Sequence, residues 1–170
     1  MITIESLSRE TDIKDIKLIN NCLNINYGIY GYTEHLTLTC RKVQDTPWSY
    51  KVLKINGLIL GFYRLLGLSD GCYRKLYHNT GVDLSELVDE FEGADITEHS
   101  DNKLLTALCI VPEMRFIGIG GLLINDLMTK SQGCRMLVPT FNKQQEELVA
   151  SNKFNELFDI GTHKMWHKHV

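Results

Sequence analysis

The sequence predicts an α/β (α+β) fold, a mixed and mostly antiparallel central sheet flanked by helices. Three observations carry this. Strand-like and helix-like runs alternate along the 170 residues, two pairs of strand-like runs are joined by short turns, and one strand leads through a cluster of glycines into a helix. Short turns demand antiparallel neighbours while helix-connected strands do not, so the sheet is mixed, with helices packed on its faces.

Each element has its own signal. Ile2 and Ile4 alternate with Thr3 and Glu5, the period of a strand. Ser8 or Thr11 stands where a cap belongs for a helix carrying Ile13, Ile16, Leu18 and Ile19. Residues 27–32 are rich in glycine and tyrosine, and 33–41 add a short second helix before the turn at Thr46-Pro47. Runs 49–55 and 58–66 flank Asn56-Gly57, the dipeptide favoured by a two-residue hairpin, and form an antiparallel pair. Residues 67–102 make a long connection holding Tyr73-Arg74-Lys75-Leu76-Tyr77-His78 and a helix near 84–91, and connections of this length are often functional. A strand at 104–112, a helix at 122–130, a strand at 135–138 and a helix at 142–150 follow. Runs 154–160 and 162–169 close the chain as a hairpin turning near Gly161.

Composition bounds the rest. A length of 170 residues with 44% hydrophobic content suits one domain over 1–170 with a sizeable core. A formal net charge of -3 without a dense Lys/Arg block disfavours nucleic acid. No run approaches a membrane span and no cationic leader precedes an apolar core, so a soluble cytoplasmic protein is the simplest reading. Cys22, Cys40, Cys72, Cys109 and Cys134 occur singly and read as free thiols. His163 and His167 have a metal-ligand spacing only on a helix, whereas their segment reads as a strand, so no metal is expected.

The most telling segment is Arg115-Phe116-Ile117-Gly118-Ile119-Gly120-Gly121, between the strand ending at Pro112 and the helix at 122–130. Closely spaced glycines that open a helix let successive backbone N–H groups converge on an anion. A dinucleotide fingerprint fails because its third glycine position is Leu123, and a Walker loop fails because Leu122 and Leu123 stand where Lys and Ser/Thr belong.

The string Ile110-Val111-Pro112-Glu113-Met114-Arg115-Phe116-Ile117-Gly118-Ile119-Gly120-Gly121-Leu122-Leu123 resembles the acyl-CoA motif of the GNAT superfamily, R/Q-x-x-G-x-G/A after a V-x-P strand end. The resemblance covers most of the chain in topology and about positions 104–130 in specific sequence. It implies acetyl-CoA as cosubstrate, with the amides of Phe116, Ile117, Gly118, Ile119, Gly120 and Gly121 around the CoA pyrophosphate and Arg115 beginning the cradle. It further implies that Ile110 and Val111 hydrogen-bond the pantetheine where the sheet splays, and that Asn142 contacts the cofactor arm. The plainer accounts are a tight packing turn for the glycines, a solvated cation for Arg115 and a helix cap for Asn142. Context favours CoA for the glycines, and capping serves Asn142 at least as well.

The implied activity is an N-acyltransferase, most simply an acetyl-CoA-dependent N-acetyltransferase acting directly on a primary amine of a small molecule or peptide. Such transfer needs a neutral amine and a proton for the departing thiolate. Many members of the superfamily place a carboxylate on the strand before the motif and a tyrosine on the following helix; here those positions hold Thr106 or its apolar neighbours and Val149, with Lys153 in place of a glycine. Glu98, His99 and Asp101 precede the strand and are candidate bases, directly or through water, beside Thr106 as an orienting hydroxyl and Ser151 as a donor. A hydrated polar loop is the plainer account of the three. Cys109, on an apolar strand, ranks below direct transfer as an acyl carrier. Tyr27, Tyr30 and Tyr32 offer an aromatic wall, and Glu86, Asp89, Glu90 and Glu92 offer attraction for a cation.

Two rivals stand beside this reading. A noncatalytic CoA-binding sensor or interaction module is motivated by the missing tyrosine and carboxylate. A nucleic-acid-modifying enzyme draws slight support from Lys164 and Lys168 against the acidic net charge. A second copy of the chain, as a homodimer, is a further candidate partner.

Overall fold

The computed structural model describes residues 1–28, 33–78, 96–114, 118–160 and 163–170. Seven strands form one mixed sheet, β1 (Ile2–Ser6), β2 (Tyr50–Ile55), β3 (Leu58–Gly67), β4 (Asn102–Ile110), β5 (Arg135–Thr140), β6 (Asn155–Ile160) and β7 (His163–His169), in the order β1-β2-β3-β4-β5-β7-β6. The helices are α1 (Ile13–Tyr27), α2 (Leu36–Asp45), α3 (Asp70–Tyr77), α4 (Ile119–Lys130) and α5 (Lys143–Ser151). Contacts divide the chain into two compact units, Met1–Leu65 with Ala107–Lys130 and Leu66–Thr106 with Ser131–Val170.

In the first unit β1, β2 and β3 form an antiparallel meander. Asn56 and Gly57 take φ of 51° and 80°, the positive pair that a tight hairpin needs. Strand β3 is buried along nearly its whole length, as a strand covered on both faces must be. Gly61 and Tyr63 face α4: a Cβ on Gly61 would lie 3.0 Å from Leu123 Cδ1, and Tyr63 Oη donates to Asp126 Oδ2 at 2.8 Å. Phe62 and Arg64 take the other face, against Tyr50 and the 3-10 turn Pro47–Ser49 that follows α2. Helix α1 buries Ile16, Ile19, Cys22, Leu23 and Tyr27, a stripe at helical spacing, each large apolar side chain contributing roughly 1.5–3 kcal/mol.

The cap of α1 differs from expectation. Asp12, not Ser8 or Thr11, accepts the Lys14 N–H at 2.9 Å. Ser8 and Thr11 are instead spent on each other, with Thr11 Oγ1 donating to the Ser8 carbonyl at 2.6 Å and accepting the Ser8 N–H at 3.0 Å.

In the second unit β4 begins parallel to β5, from Asn102 opposite Arg135 to Leu104 opposite Leu137. Strand β7 pairs antiparallel with β5 and with β6, so the closing hairpin forms as expected, although Gly161 lies outside the described residues. Trp166 Nε1 donates to Thr140 Oγ1 at 2.9 Å, which pairs the one polar atom of a buried indole. Helix α3 occupies the start of the long connection. Its signal was Ser69, which caps it by accepting the Cys72 N–H at 3.2 Å. The helix expected near 84–91 lies outside the described residues.

Among the described residues, no helix is long and apolar enough to cross a membrane.

Candidate functional site

The site is built from the end of β4 and the start of α4. The chain leaves β4 at Ile110, and the Val111 N–H donates to the Leu60 carbonyl at 2.9 Å before Pro112 starts a 3-10 turn, Pro112–Met114. That amide of Val111 is thus engaged by β3. Arg115, Phe116 and Ile117 lie outside the described residues.

Gly118 then adopts φ of +83°, a conformation that L side chains rarely take. Helix α4 starts at the next residue and is pinned by buried Ile119, Leu123 and Leu127. Among the described residues, a Cβ on Gly118 or Gly121 would meet nothing within 4 Å, and the nearest atom to one on Gly120 would be Ile110 Cδ1 at 3.9 Å. The three glycines therefore leave the start of the helix clear of side chains. First-turn N–H groups have no acceptor within a helix, and the dipole adds positive potential there, so this end is fitted to an anion such as a pyrophosphate. The residues present fit the phosphate end of CoA.

Strand β4 leads into this turn. Its ladder with β5 ends at Leu104. Further along, the Leu108 N–H donates to the hydroxyl of Tyr27, at the end of α1, at 3.2 Å. Burial pushes the Tyr27 hydroxyl well above the ordinary tyrosine range, with nearby Cys109 adding to the shift, so this group stays protonated. Tyr30 and Tyr32, expected to share an aromatic wall with Tyr27, lie outside the described residues, as do Glu86, Asp89, Glu90 and Glu92.

The remaining expected residues are spread along the chain. Glu98, His99 and Asp101 are exposed in the turn before β4. The Glu98 carbonyl accepts Lys103 Nζ at 3.1 Å and the Asp101 carbonyl accepts the Arg135 N–H at 2.8 Å. This turn precedes the nine-residue strand that the glycine turn follows, a strand of about 30 Å when extended. Thr106 is half-buried midway along β4, on the strand face that carries Leu108 and Ile110. Cys109 is fully buried. Asn142 caps α5, accepting the Gln145 N–H at 2.8 Å. Val149 is buried on that helix, and Ser151 Oγ donates to the Leu148 carbonyl at 2.8 Å.

Sequence reasoning passed over a buried polar cluster in the first unit. Glu34, Thr39, Lys42, Ser49 and Arg64 are all buried. One carboxylate oxygen of Glu34 pairs with Lys42 Nζ and the other accepts from Thr39 Oγ1. Asn20 and Asn24 donate to the Glu34 carbonyl at 2.8 and 3.0 Å, and Asn24 Oδ1 accepts the Glu34 N–H at 2.8 Å. Arg64 Nε donates to Ser49 Oγ at 3.2 Å and its guanidinium lies 5.1 Å from the Tyr50 ring centroid. The available signal was Arg64, a charged residue inside the apolar run 58–66. With both oxygens engaged, the Glu34 carboxylate serves the α1–α2 junction rather than a proton transfer.

No protein-family model matches this chain, and no curated protein sequence matches it. Solved structures do match in fold. An acetyltransferase from Thermus thermophilus superposes with a TM-score of 0.66 at 11% identity, covering 100% of this chain and 97% of its own. The PaiA N-acetyltransferase of Thermoplasma acidophilum, in complex with coenzyme A, gives 0.65 at 15% identity, covering 100% and 99%. The GphF GNAT-like decarboxylase, in complex with isobutyryl-CoA, gives 0.62 at 15% identity, covering 88% and 71%. The chain has the GNAT fold. Because the matching structures include a decarboxylase as well as acetyltransferases, the fold by itself does not choose the reaction.

Proposed function

We propose that the chain is an N-acyltransferase, carrying acetyl from acetyl-CoA directly to a primary amine of a small molecule or peptide. The observation that carries this reading is the start of α4, where Gly118 holds a left-handed φ and side-chain positions stay open in front of the first-turn amides.

Bound acetyl-CoA would supply an acyl group activated as a thioester. The chain's part is to hold it and to move a proton. The amides of Ile119, Gly120 and Gly121 take the pyrophosphate. Thr106 orients the amine or a water through its hydroxyl. The amine gives up its proton to water, because Glu98, His99 and Asp101 stand at the far end of β4, and water returns one to the thiolate, a tolerable leaving group that needs no dedicated acid.

Amine-dependent release of free thiol from acetyl-CoA, followed over a panel of small amines and peptide N-termini, tests the reaction. The expected result is release that needs an amine, disappears in Gly118→Leu and falls in Thr106→Val. Thiol release that ignores the amine overturns the acyl-transfer claim.

A noncatalytic CoA-binding module is the second reading. It draws on Val149, an apolar and buried residue at the position where the GNAT pattern has tyrosine. It predicts that CoA binds while no amine on the panel turns over.

A further inference from the structure

The second unit carries a hollow that shares no residue with the glycine turn. It lies among α3, the first residue of β5 and the end of β7, with a volume of about 340 Å³. That is the low end for small-molecule sites and more than a bare inorganic ion fills. Two permanent cations line it, Arg74 and Arg135, with Lys168 contributing to the wall. Three imidazoles join them, those of His78, His167 and His169.

Among the described residues the positive charge has one carboxylate beside it, Asp70. Among the described residues no carboxylate lines the hollow. Asp70 Oδ1 comes within 3.7 Å of Arg135 and offsets part of its charge, while also accepting from Asn102 Nδ2 at 2.6 Å, so Arg74 is left without a carboxylate among the lining residues. Lys168 follows His167 on the opposite face of β7, and its Nζ donates to the Asn152 carbonyl at 2.7 Å and lies 5.7 Å from the Phe154 ring centroid, so its charge is engaged outside the hollow. Like charges brought together in this way repel, and a bound anion is what turns the repulsion into attraction.

Aromatic packing fixes Arg135 and the imidazole of His167 in place. The Arg135 guanidinium lies 4.8 Å from the Tyr73 ring centroid, and Tyr73 stacks on Tyr77 at 6.1 Å. Tyr77 in turn meets the rings of His78 and His167 edge-on at 5.2 and 5.5 Å. Arg135 and His169 face each other across β5 and β7. Arg135 is therefore ordered by the fold before a ligand arrives, which lowers the entropic cost of binding.

We infer that this hollow binds the phosphate or sulfate monoester group of a small organic molecule. The guanidinium groups of Arg74 and Arg135 suit tetrahedral oxyanions, to which an arginine fork can donate two parallel N–H bonds. The volume left over holds the organic body beside Tyr77.

Phenyl phosphate is the probe, titrated calorimetrically into the whole chain and into Arg74→Gln, Arg135→Gln and Gly118→Leu, with inorganic phosphate and phenol as parallel arms. Arg74 is exposed, so its replacement leaves the fold alone even if loss of Arg135 loosens Tyr73. The inference expects saturable binding of phenyl phosphate, weakened about tenfold or more by either arginine replacement and unchanged in Gly118→Leu. It expects inorganic phosphate to bind more weakly and phenol not at all. Absence of phenyl phosphate binding, or binding that survives the loss of both arginines, overturns the inference. Equal affinity for inorganic phosphate overturns the organic-ester assignment. Loss of binding in Gly118→Leu moves the ligand to the glycine turn and overturns the separate site, while CoA binding, read independently, decides the fate of the acyltransferase proposal.

Discussion

The hydroxyl of Tyr27 accepts the backbone N–H of Leu108 at 3.2 Å, so the last residue of α1 satisfies an amide of β4 beyond the end of that strand's ladder with β5. A helix side chain here does what a neighbouring strand would otherwise do. Tyr27→Phe keeps the ring and removes the acceptor, leaving a part-buried N–H without its partner. The expected cost is about 1–3 kcal/mol, read from the midpoint of chemical denaturation with an unchanged slope. A variant as stable as the parent would show that this bond adds nothing.

Lys153 follows α5 in the left-handed region, with φ of 64°. The Phe154 N–H reaches the Val149 carbonyl at 3.0 Å and the Lys153 N–H reaches the Ala150 carbonyl at 3.0 Å, the double bond pattern of a Schellman cap. Lysine pays a steric penalty there that glycine avoids. Lys153→Gly is expected to stabilise the chain by about 1 kcal/mol, seen as a raised denaturation midpoint. A lower midpoint would contradict that account of the cap.

The Glu34–Lys42 pair is buried on both sides. Lys42→Met strands a buried carboxylate and is expected to cost about 3–5 kcal/mol. Adding Glu34→Leu removes the stranded charge, so the double variant should be less destabilised than Lys42→Met alone. A double-mutant cycle from denaturation midpoints checks this, and strict additivity of the two single costs would contradict it.

Burial pushes Tyr50 up to about 12, opposed by Arg64 and assisted by Glu34 and Cys109. Tyr27 and Tyr63 are pushed up as well, each chiefly by burial. A phenol that keeps its proton to higher pH when folded contributes stability that is intact below its unfolded value, near 10, and is lost as the pH rises through the folded one. The denaturation midpoint should therefore fall between about pH 10 and about pH 12. A midpoint that holds steady across that window contradicts the buried placement of these hydroxyls.

Much of the fold was legible in local chemistry. Asn56-Gly57 announced its hairpin because few residues accept two successive positive φ values, and Gly118 announced the turn into α4 for a similar reason. What escaped was set by tertiary contact. Asp12 wins the cap of α1 because Thr11 and Ser8 satisfy each other, and the chain offers three adjacent candidates without ranking them. The Glu34–Lys42 pair joins residues eight apart across a helix start, a relationship with no fixed spacing in sequence. The hollow around Arg135 gathers α3, β5 and β7, so its charge is invisible until those elements pack. The turn at Gly118 lay within reach because a helix start is a property of consecutive residues, whereas a proton-transfer site is assembled from distant ones.

Calorimetric titration of CoA into the chain and into Gly118→Leu tests the central claim most directly. The account predicts saturable binding to the parent chain and its loss in Gly118→Leu, with denaturation of the variant remaining cooperative. No binding to the parent chain, or equal binding to the folded variant, would contradict a cofactor site at the start of α4.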